Sequence, residues 1–315
     1  MKLLAFASMQ LAALVAPALA SRAPSTESDQ QPPTFGTGVE AVYVDVFVTR
    51  DGQPVLGLPA SAFELRDAGV VQRVELVAVE SLPLTAMLVF DTSSSVAGEK
   101  LAALRSASEA FLDGLREQDE LGVIAFSHEV RWLARPTRDR EAVRQALATT
   151  RARGATALWD GLHAALGLLP GRIRSLVVVF TDGEDNTSWL DEAQVRTEAQ
   201  RSNAVLHAVG LRPPRPSVPI GRDGSPPPPA ESEHERALRR TAEVTGGRYW
   251  TAESPDRLRH AFAAIVAAMN SRYILRFEPS GGRGWHPIQL RLTGGAKGDV
   301  RARAGYFLAD TSSLR

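Results

Sequence analysis

Asp91-Thr92-Ser93-Ser94-Ser95 brings one carboxylate and two hydroxyls onto a single short segment, a D-x-S-x-S arrangement able to offer three oxygens to one ion. Two further segments converge in kind. They are Gly154-Ala155-Thr156-Ala157-Leu158-Trp159-Asp160, and Val177-Val178-Val179-Phe180-Thr181-Asp182-Gly183. Oxygen-only donors suit a hard cation such as Mg²⁺, Mn²⁺ or Ca²⁺. The chain has no cysteine and no cluster of histidines, which disfavours zinc and copper.

The elements that must position these residues can be read from periodicity. Leu84 to Phe90 is a continuous apolar run ending at Asp91, followed by a helical pattern with Leu101, Leu104, Phe111, Leu112 and Leu115 on one face. The cycle repeats with strands at Leu121–Phe126, Ser175–Phe180, Ala204–Val209 and Arg248–Thr251. Helices are expected at Arg140–Ala148, Leu158–Leu169, Leu190–Ala199, Glu233–Val244 and Pro255–Met269. Strands alternating with helices at this spacing predict an α/β domain with a doubly wound, mostly parallel sheet flanked by helices. Asp91 and Asp182 then sit at the ends of buried strands, the rim where open α/β sheets bind ligands.

The flanks read differently. Val42, Val44, Val46 and Val48 alternate with Tyr43, Asp45 and Phe47, Asp51-Gly52 marks a turn, and strands are expected near Phe63–Leu65 and Val74–Val79 around the turn Asp67-Ala68-Gly69. Strand patterns return at Tyr273–Phe277, Ile288–Leu292, Val300–Arg303 and Gly305–Phe307. The expected organisation is β strands over 38–82, the α/β domain over 83–270 with a Pro-rich loop at 212–230, β strands over 271–308 and a tail at 309–315.

Lys+Arg and Asp+Glu number 36 each among 315 residues, so no whole-protein field attracts nucleic acid or an anionic membrane. The lack of cysteine removes disulfides, iron–sulfur clusters and a thiol nucleophile. Met1-Lys2, an apolar stretch to Val15 and Ala18-Leu19-Ala20 describe a secretory signal peptide cleaved after Ala20. Residues 21–37 are polar and Pro-rich, a disordered leader. No later segment is apolar and long enough to span a bilayer as a helix, so a secreted or periplasmic location is expected.

Asp91, Ser93, Ser95, Thr156 and Asp182, with the buried strand before the first segment, Gly154-x-Thr156-Ala157-Leu158 and a strand ending Thr181-Asp182-Gly183, resemble the complete metal-ion-dependent adhesion site of the von Willebrand factor A domain. The resemblance covers about residues 83–270. Val42 to Val55, Phe63-Glu64-Leu65, Asp67 and the tail from Arg301 to Phe307 are similar to a bacterial group of secreted proteins related to that domain. This implies that N- and C-terminal strands join in one small β-sandwich-like domain into which the A domain is inserted. It also implies that Ser93, Ser95 and Thr156 give neutral oxygens directly to the ion while Asp91 and Asp182 act largely through water. An ion with few direct carboxylates keeps residual charge and an exchangeable position, which an Asp or Glu of a partner protein can fill. The positive end of the helix after Ser95 opposes cation binding by about 0.3–1 kcal/mol, which the two aspartates must outweigh.

Glu184 and Asp185 follow Asp182 on the same loop, where they could tune the site or repel acidic partners, and are read as solvated loop charges. Trp159 is expected beneath the Thr156 loop, and Trp189 is either an exposed contact or a helix-start staple. Enzyme signatures are absent: His128, His163, His207, His234, His260 and His286 form no H-E-x-x-H motif, and there is neither a G-x-S-x-G elbow nor a Gly-rich phosphate loop. The expected function is non-enzymatic, divalent-cation-dependent protein binding. A structural module with a purely stabilising ion and a metal-assisted hydrolase are the alternatives.

Overall fold

Residues 41–169, 173–212, 231–280 and 282–308 are described by the computed structural model. The signal segment, the leader, nearly all of the Pro-rich loop and the tail lie outside them. In chain order the elements are β1 (Val42–Arg50), β2 (Gln53–Pro54), β3 (Phe63–Asp67), β4 (Val70–Gln72), β5 (Glu75–Val77), β6 (Thr85–Asp91), α1 (Glu99–Gly114), β7 (Glu120–Phe126), β8 (Val130–Thr137), α2 (Arg140–Ala148) and α3 (Leu158–Leu166). They continue with β9 (Ser175–Thr181), α4 (Glu192–Arg201), β10 (Ala204–Leu211), α5 (Glu233–Glu243), β11 (Arg248–Ala252), α6 (Pro255–Asn270), β12 (Tyr273–Phe277), β13 (Gly284–Leu292), β14 (Asp299–Ala302) and β15 (Gly305–Leu308).

Six strands form the central sheet in the order β11-β10-β9-β6-β7-β8. All pairings are parallel except that of β7 with β8. The apolar runs bury both of their faces. Along β6, Leu84, Ala86, Leu88 and Phe90 pack towards α1, α2 and α6, while Met87 and Val89 pack towards α3, α4 and α5. At about 1.5–3 kcal/mol per fully buried large apolar side chain, these layers drive the assembly. Side-chain caps fix where helices begin: Asp139 for α2, Asp191 with Gln194 for α4, Ser232 with Glu235 for α5, and Ser254 with Pro255 for α6.

The strand β8 has no counterpart in the sequence reading. It is a half-exposed edge strand without apolar alternation, its ladder carries register irregularities, and it contains Pro136, which an edge position tolerates. The pair β3–β4 similarly closes on Ala68 and Gly69, both at positive φ, and places a strand before the expected Val74–Val79 segment, of which only Glu75–Val77 is strand. The other signalled turn holds: Asp51 and Gly52, at φ 51° and 77°, connect β1 to β2.

The outer strands form two smaller sheets, β14-β1-β12-β5 with β2 beside β1, and β15-β13-β3-β4. Both contribute to one core that includes Val44, Val46, Leu65, Leu275, Phe277 and Tyr306. Buried Arg303 ties this region to the end of α4, and buried Arg174 joins the end of α6 to the connection before β6. Arg174 donates to the carbonyls of Leu82 and Met269, and Arg303 to those of Gln200 and Ser202 and to Asn203 Oδ1. Such bonds offset the cost of taking a guanidinium out of water.

Candidate metal centre

The register Phe90↔Phe180 brings the ends of β6 and β9 side by side, so Asp91 lies next to Thr181 and Asp182 follows one residue later. Asp91 is fully buried. Its Oδ1 accepts the Ser93 N–H at 2.8 Å and its Oδ2 accepts the Thr181 hydroxyl at 2.7 Å. Burial pushes the Asp91 carboxyl above its ordinary range; the bonds from Ser93 and Thr181 pull it back, and the nearby Asp182 charge raises it further. Two carboxylates this close, one wholly desolvated, favour a cation between their loops.

The hydroxyls complete the arrangement. Ser95 Oγ donates to Asp182 Oδ1 at 2.7 Å, and Ser93 Oγ lies 2.9 Å from Ser95 Oγ. Thr156 enters from the segment before α3, its N–H donating to Asn186 Oδ1 at 2.9 Å and its carbonyl accepting the Asn186 N–H at 3.0 Å. A methyl placed on Gly183 would meet Ser95 Oγ at 3.8 Å and Thr156 Oγ1 at 3.9 Å, so both hydroxyls face the same small space above Gly183. All five residues expected from the sequence therefore converge on one rim.

Hydrogen bonds between loops hold this geometry. Phe126 O accepts both the N–H and the hydroxyl of Thr92, Arg153 N–H donates to Thr92 O at 2.7 Å, and Ser94 N–H donates to Gly154 O at 3.0 Å. Gly154 has φ +81°, and a Cβ there would lie 2.0 Å from His128 Nδ1, so the position requires glycine.

The structure corrects the reading of Asp185. Its carboxylate accepts the N–H groups of Leu158 at 2.7 Å, Trp159 at 3.2 Å and Ser188 at 3.2 Å, and it also accepts the Ser188 hydroxyl. Asp185 thus caps α3 from another loop. A carboxylate satisfied by backbone several residues distant leaves no local sequence signal. Glu184 is exposed, as expected. Trp159 is buried, and Trp189 is 95% exposed, which decides between its two readings. The Trp189 backbone N–H donates to Asp160 Oδ2 at 3.0 Å.

Lys100 was not among the sequence candidates. From the first turn of α1 its ammonium bonds Asp182 Oδ2 and the Ser95 carbonyl, the latter at 3.1 Å. The available signal was a lysine five residues beyond Ser95 in a chain with only two others.

Among the described residues no three His, Cys, Asp or Glu side chains converge on a metal position, so a cation at this rim would rest on two carboxylates and three hydroxyls. The residues fit a small hard ion. Ser93 Oγ, Ser95 Oγ and Asp182 Oδ1 are oxygens of the kind such an ion takes, and they lie in one run at hydrogen-bond spacings of 2.9 and 2.7 Å.

The sequence model of the von Willebrand factor type A domain matches residues 86–184. An uncharacterized protein of Synechocystis is 33% identical over 138 residues, 41% of this chain and 32% of the relative. A UPF0353 protein of a Mycobacterium species is 28% identical over 203 residues, 57% of this chain and 58% of that protein. The chain thus spans about a third and somewhat over half of these two curated relatives. Among solved structures, a von Willebrand factor type A protein from Catenulispora acidiphila superposes with a TM-score of 0.52 at 16% identity, over 82% of this chain and 76% of that one, a likeness of fold. The span that matches the von Willebrand factor type A model contains Asp91, Ser93, Ser95, Thr156 and Asp182, and the parallel sheet with its flanking helices is like that of the superposed structure in fold.

Proposed function

We propose that this protein is an exported, non-enzymatic binding module that captures an Asp or Glu side chain of a partner protein through a divalent cation, Mg²⁺ or alternatively Mn²⁺ or Ca²⁺, held by Asp91, Ser93, Ser95, Thr156 and Asp182. The observation that carries the reading is the run of oxygens Ser93 Oγ, Ser95 Oγ and Asp182 Oδ1 beside the buried Asp91 carboxylate. When bound, such a cation supplies positive charge and an open coordination position for the partner's carboxylate.

The chain's own residues have distinct parts in this reading. Thr181 and the Ser93 N–H hold Asp91 in place as a fixed negative charge. Ser93, Ser95 and Thr156 present neutral oxygens, which leaves the ion's charge only partly neutralised. Asn186 and Asp185 fix the Thr156 segment. In this reading the two smaller sheets act as one sandwich-like carrier for the A domain.

One observation favours a second reading. Lys100 already bonds Asp182, so the loops can close on an internal cation without any metal, and the rim would then be structural. Calorimetric titration of Mg²⁺, Mn²⁺ and Ca²⁺ into the protein, with Ser93→Ala alongside, separates the two. Saturable one-site binding lost in Ser93→Ala supports the adhesion-type site. No binding by the intact protein removes the metal-centred reading and leaves the lysine-closed one.

A further inference from the structure

A cavity of about 310 Å³ lies beside the β11 edge of the central sheet, where it meets β1, β2 and β14. Asp91 and Asp182 stand at the carboxyl ends of β6 and β9, whereas Arg248 opens β11 and Arg272 follows α6, so the two sites are at opposite ends of the parallel strands. The cavity wall carries Arg248, Arg272, Arg301, His207 and His260 and no carboxylate.

The positive charge of this wall is poorly balanced. Among the described residues neither Arg248 nor Arg301 has a carboxylate partner; Arg248 instead lies over the Trp250 ring, 4.7 Å from its centre. Arg272 is buried. One of its terminal nitrogens is 3.5 Å from Asp45 Oδ1, the other donates to Gly246 O at 3.2 Å, and its Nε has no hydrogen-bond partner. Asp45 also faces the buried Arg174 and Arg303, so one carboxylate is shared among three guanidinium groups.

His207 adds a neutral donor. Its Nδ1 accepts the Trp250 indole N–H at 3.2 Å, which leaves the ring proton on Nε2. That atom is buried and meets only the Arg248 main chain, at a geometry short of a full hydrogen bond. Burial, helped by Arg272, Arg301 and Arg248, pushes this imidazole down to about 3, so it stays neutral. Arg272 Nε has no partner and the His207 donor only an imperfect one, and buried donors in that state favour an added acceptor.

The geometry points to a binding site for a small phosphomonoester with a compact apolar or aromatic body. A tetrahedral dianion offers enough acceptors for three guanidinium groups and one imidazole N–H, more than a carboxylate does. The remaining wall, with Phe47, Trp250 and the small residues Ala264 and Ala268 one turn apart on α6, suits an apolar body.

Phenyl phosphate, inorganic phosphate and benzoate are titrated into the full chain by calorimetry at low salt, without divalent cation. Expected is one-site binding of phenyl phosphate, weaker binding of inorganic phosphate and weaker still of benzoate. Arg248→Gln and Arg301→Gln, both at accessible positions, should each weaken phenyl phosphate binding at least about tenfold while circular dichroism stays native, and Ser93→Ala should leave it unchanged. Absence of saturable phosphate binding in the folded protein overturns the proposal. So does an affinity that survives in the Arg248→Gln/Arg301→Gln double variant, and equal affinity for inorganic and phenyl phosphate overturns the organic ligand.

Discussion

Lys100 reaches from the first turn of α1 to Asp182, so the carboxylate expected to serve a metal is held by an ammonium of the same chain. The same ammonium bonds the Ser95 carbonyl and thereby joins two of the segments that shape the rim. A divalent ion entering there competes with a resident positive charge.

Lys100→Met should therefore raise divalent-cation affinity several-fold. The side chain is nearly half exposed, so the lost ion pair should change stability by no more than about 1 kcal/mol. Calorimetry of Mg²⁺ with both proteins checks this, and equal or weaker binding by the variant would refute competition.

Thr181→Val removes the hydroxyl that Asp91 Oδ2 accepts and leaves a buried carboxylate short of a donor. The expected cost is about 1–3 kcal/mol of folding stability, measured by urea unfolding in chelator. A cost well below this range would mean that Asp91 draws its support from elsewhere.

Asp185→Ala and Trp189→Ala are neighbours with opposite expectations. Loss of the Asp185 cap on α3 should destabilise the protein by about 0.5–2 kcal/mol and weaken metal binding through the Thr156 segment. Trp189→Ala should leave stability within about 0.5 kcal/mol, since the indole is 95% exposed. Thermal unfolding of the pair tests both, and equal melting temperatures would contradict the capping role.

His286 gives the region of smaller sheets a pH dependence. Desolvation lowers the pKa of its imidazole, but the acceptors Gly282 O and Asp67 outweigh this and hold the ring above its ordinary value. Asp67 Oδ1 is 2.9 Å from Nδ1, Asp67 Oδ2 accepts the Tyr306 hydroxyl at 2.8 Å, and the Tyr306 ring stacks on the imidazole. A raised folded-state value means that the protonated ring stabilises the fold fully below the unfolded pKa of about 6.5 and progressively less as pH climbs through the folded value. Urea unfolding at a series of pH values from 5.5 upwards should show this decline, and His286→Gln should flatten it. An identical slope in the variant would assign the pH dependence to other groups.

The chemistry at the rim was legible because its signals are local. Asp91 and Asp182 each end a continuous apolar run, and such runs read as buried strands without knowledge of their neighbours. The edge strand β8 escaped because Arg131, Arg135 and Pro136 erase the alternation that marks a half-buried strand. Asp185 and Lys100 escaped for another reason: their partners are distant main-chain groups or a carboxylate that the fold brings near. The basic cavity draws on β1, β10, β11, α6 and β14, and Arg248, Arg272 and Arg301 lie too far apart in sequence to form a local pattern.

The chain leaves the smaller sheets at Val77 and returns at Ile274, and these two residues are antiparallel register partners. Paired strand residues lie about 5 Å apart, so the entire intervening segment starts and finishes at almost one point. In engineering terms it is a plug-in cassette. Its two junctions sit together, so carrying it costs the smaller sheets little loop-closure entropy.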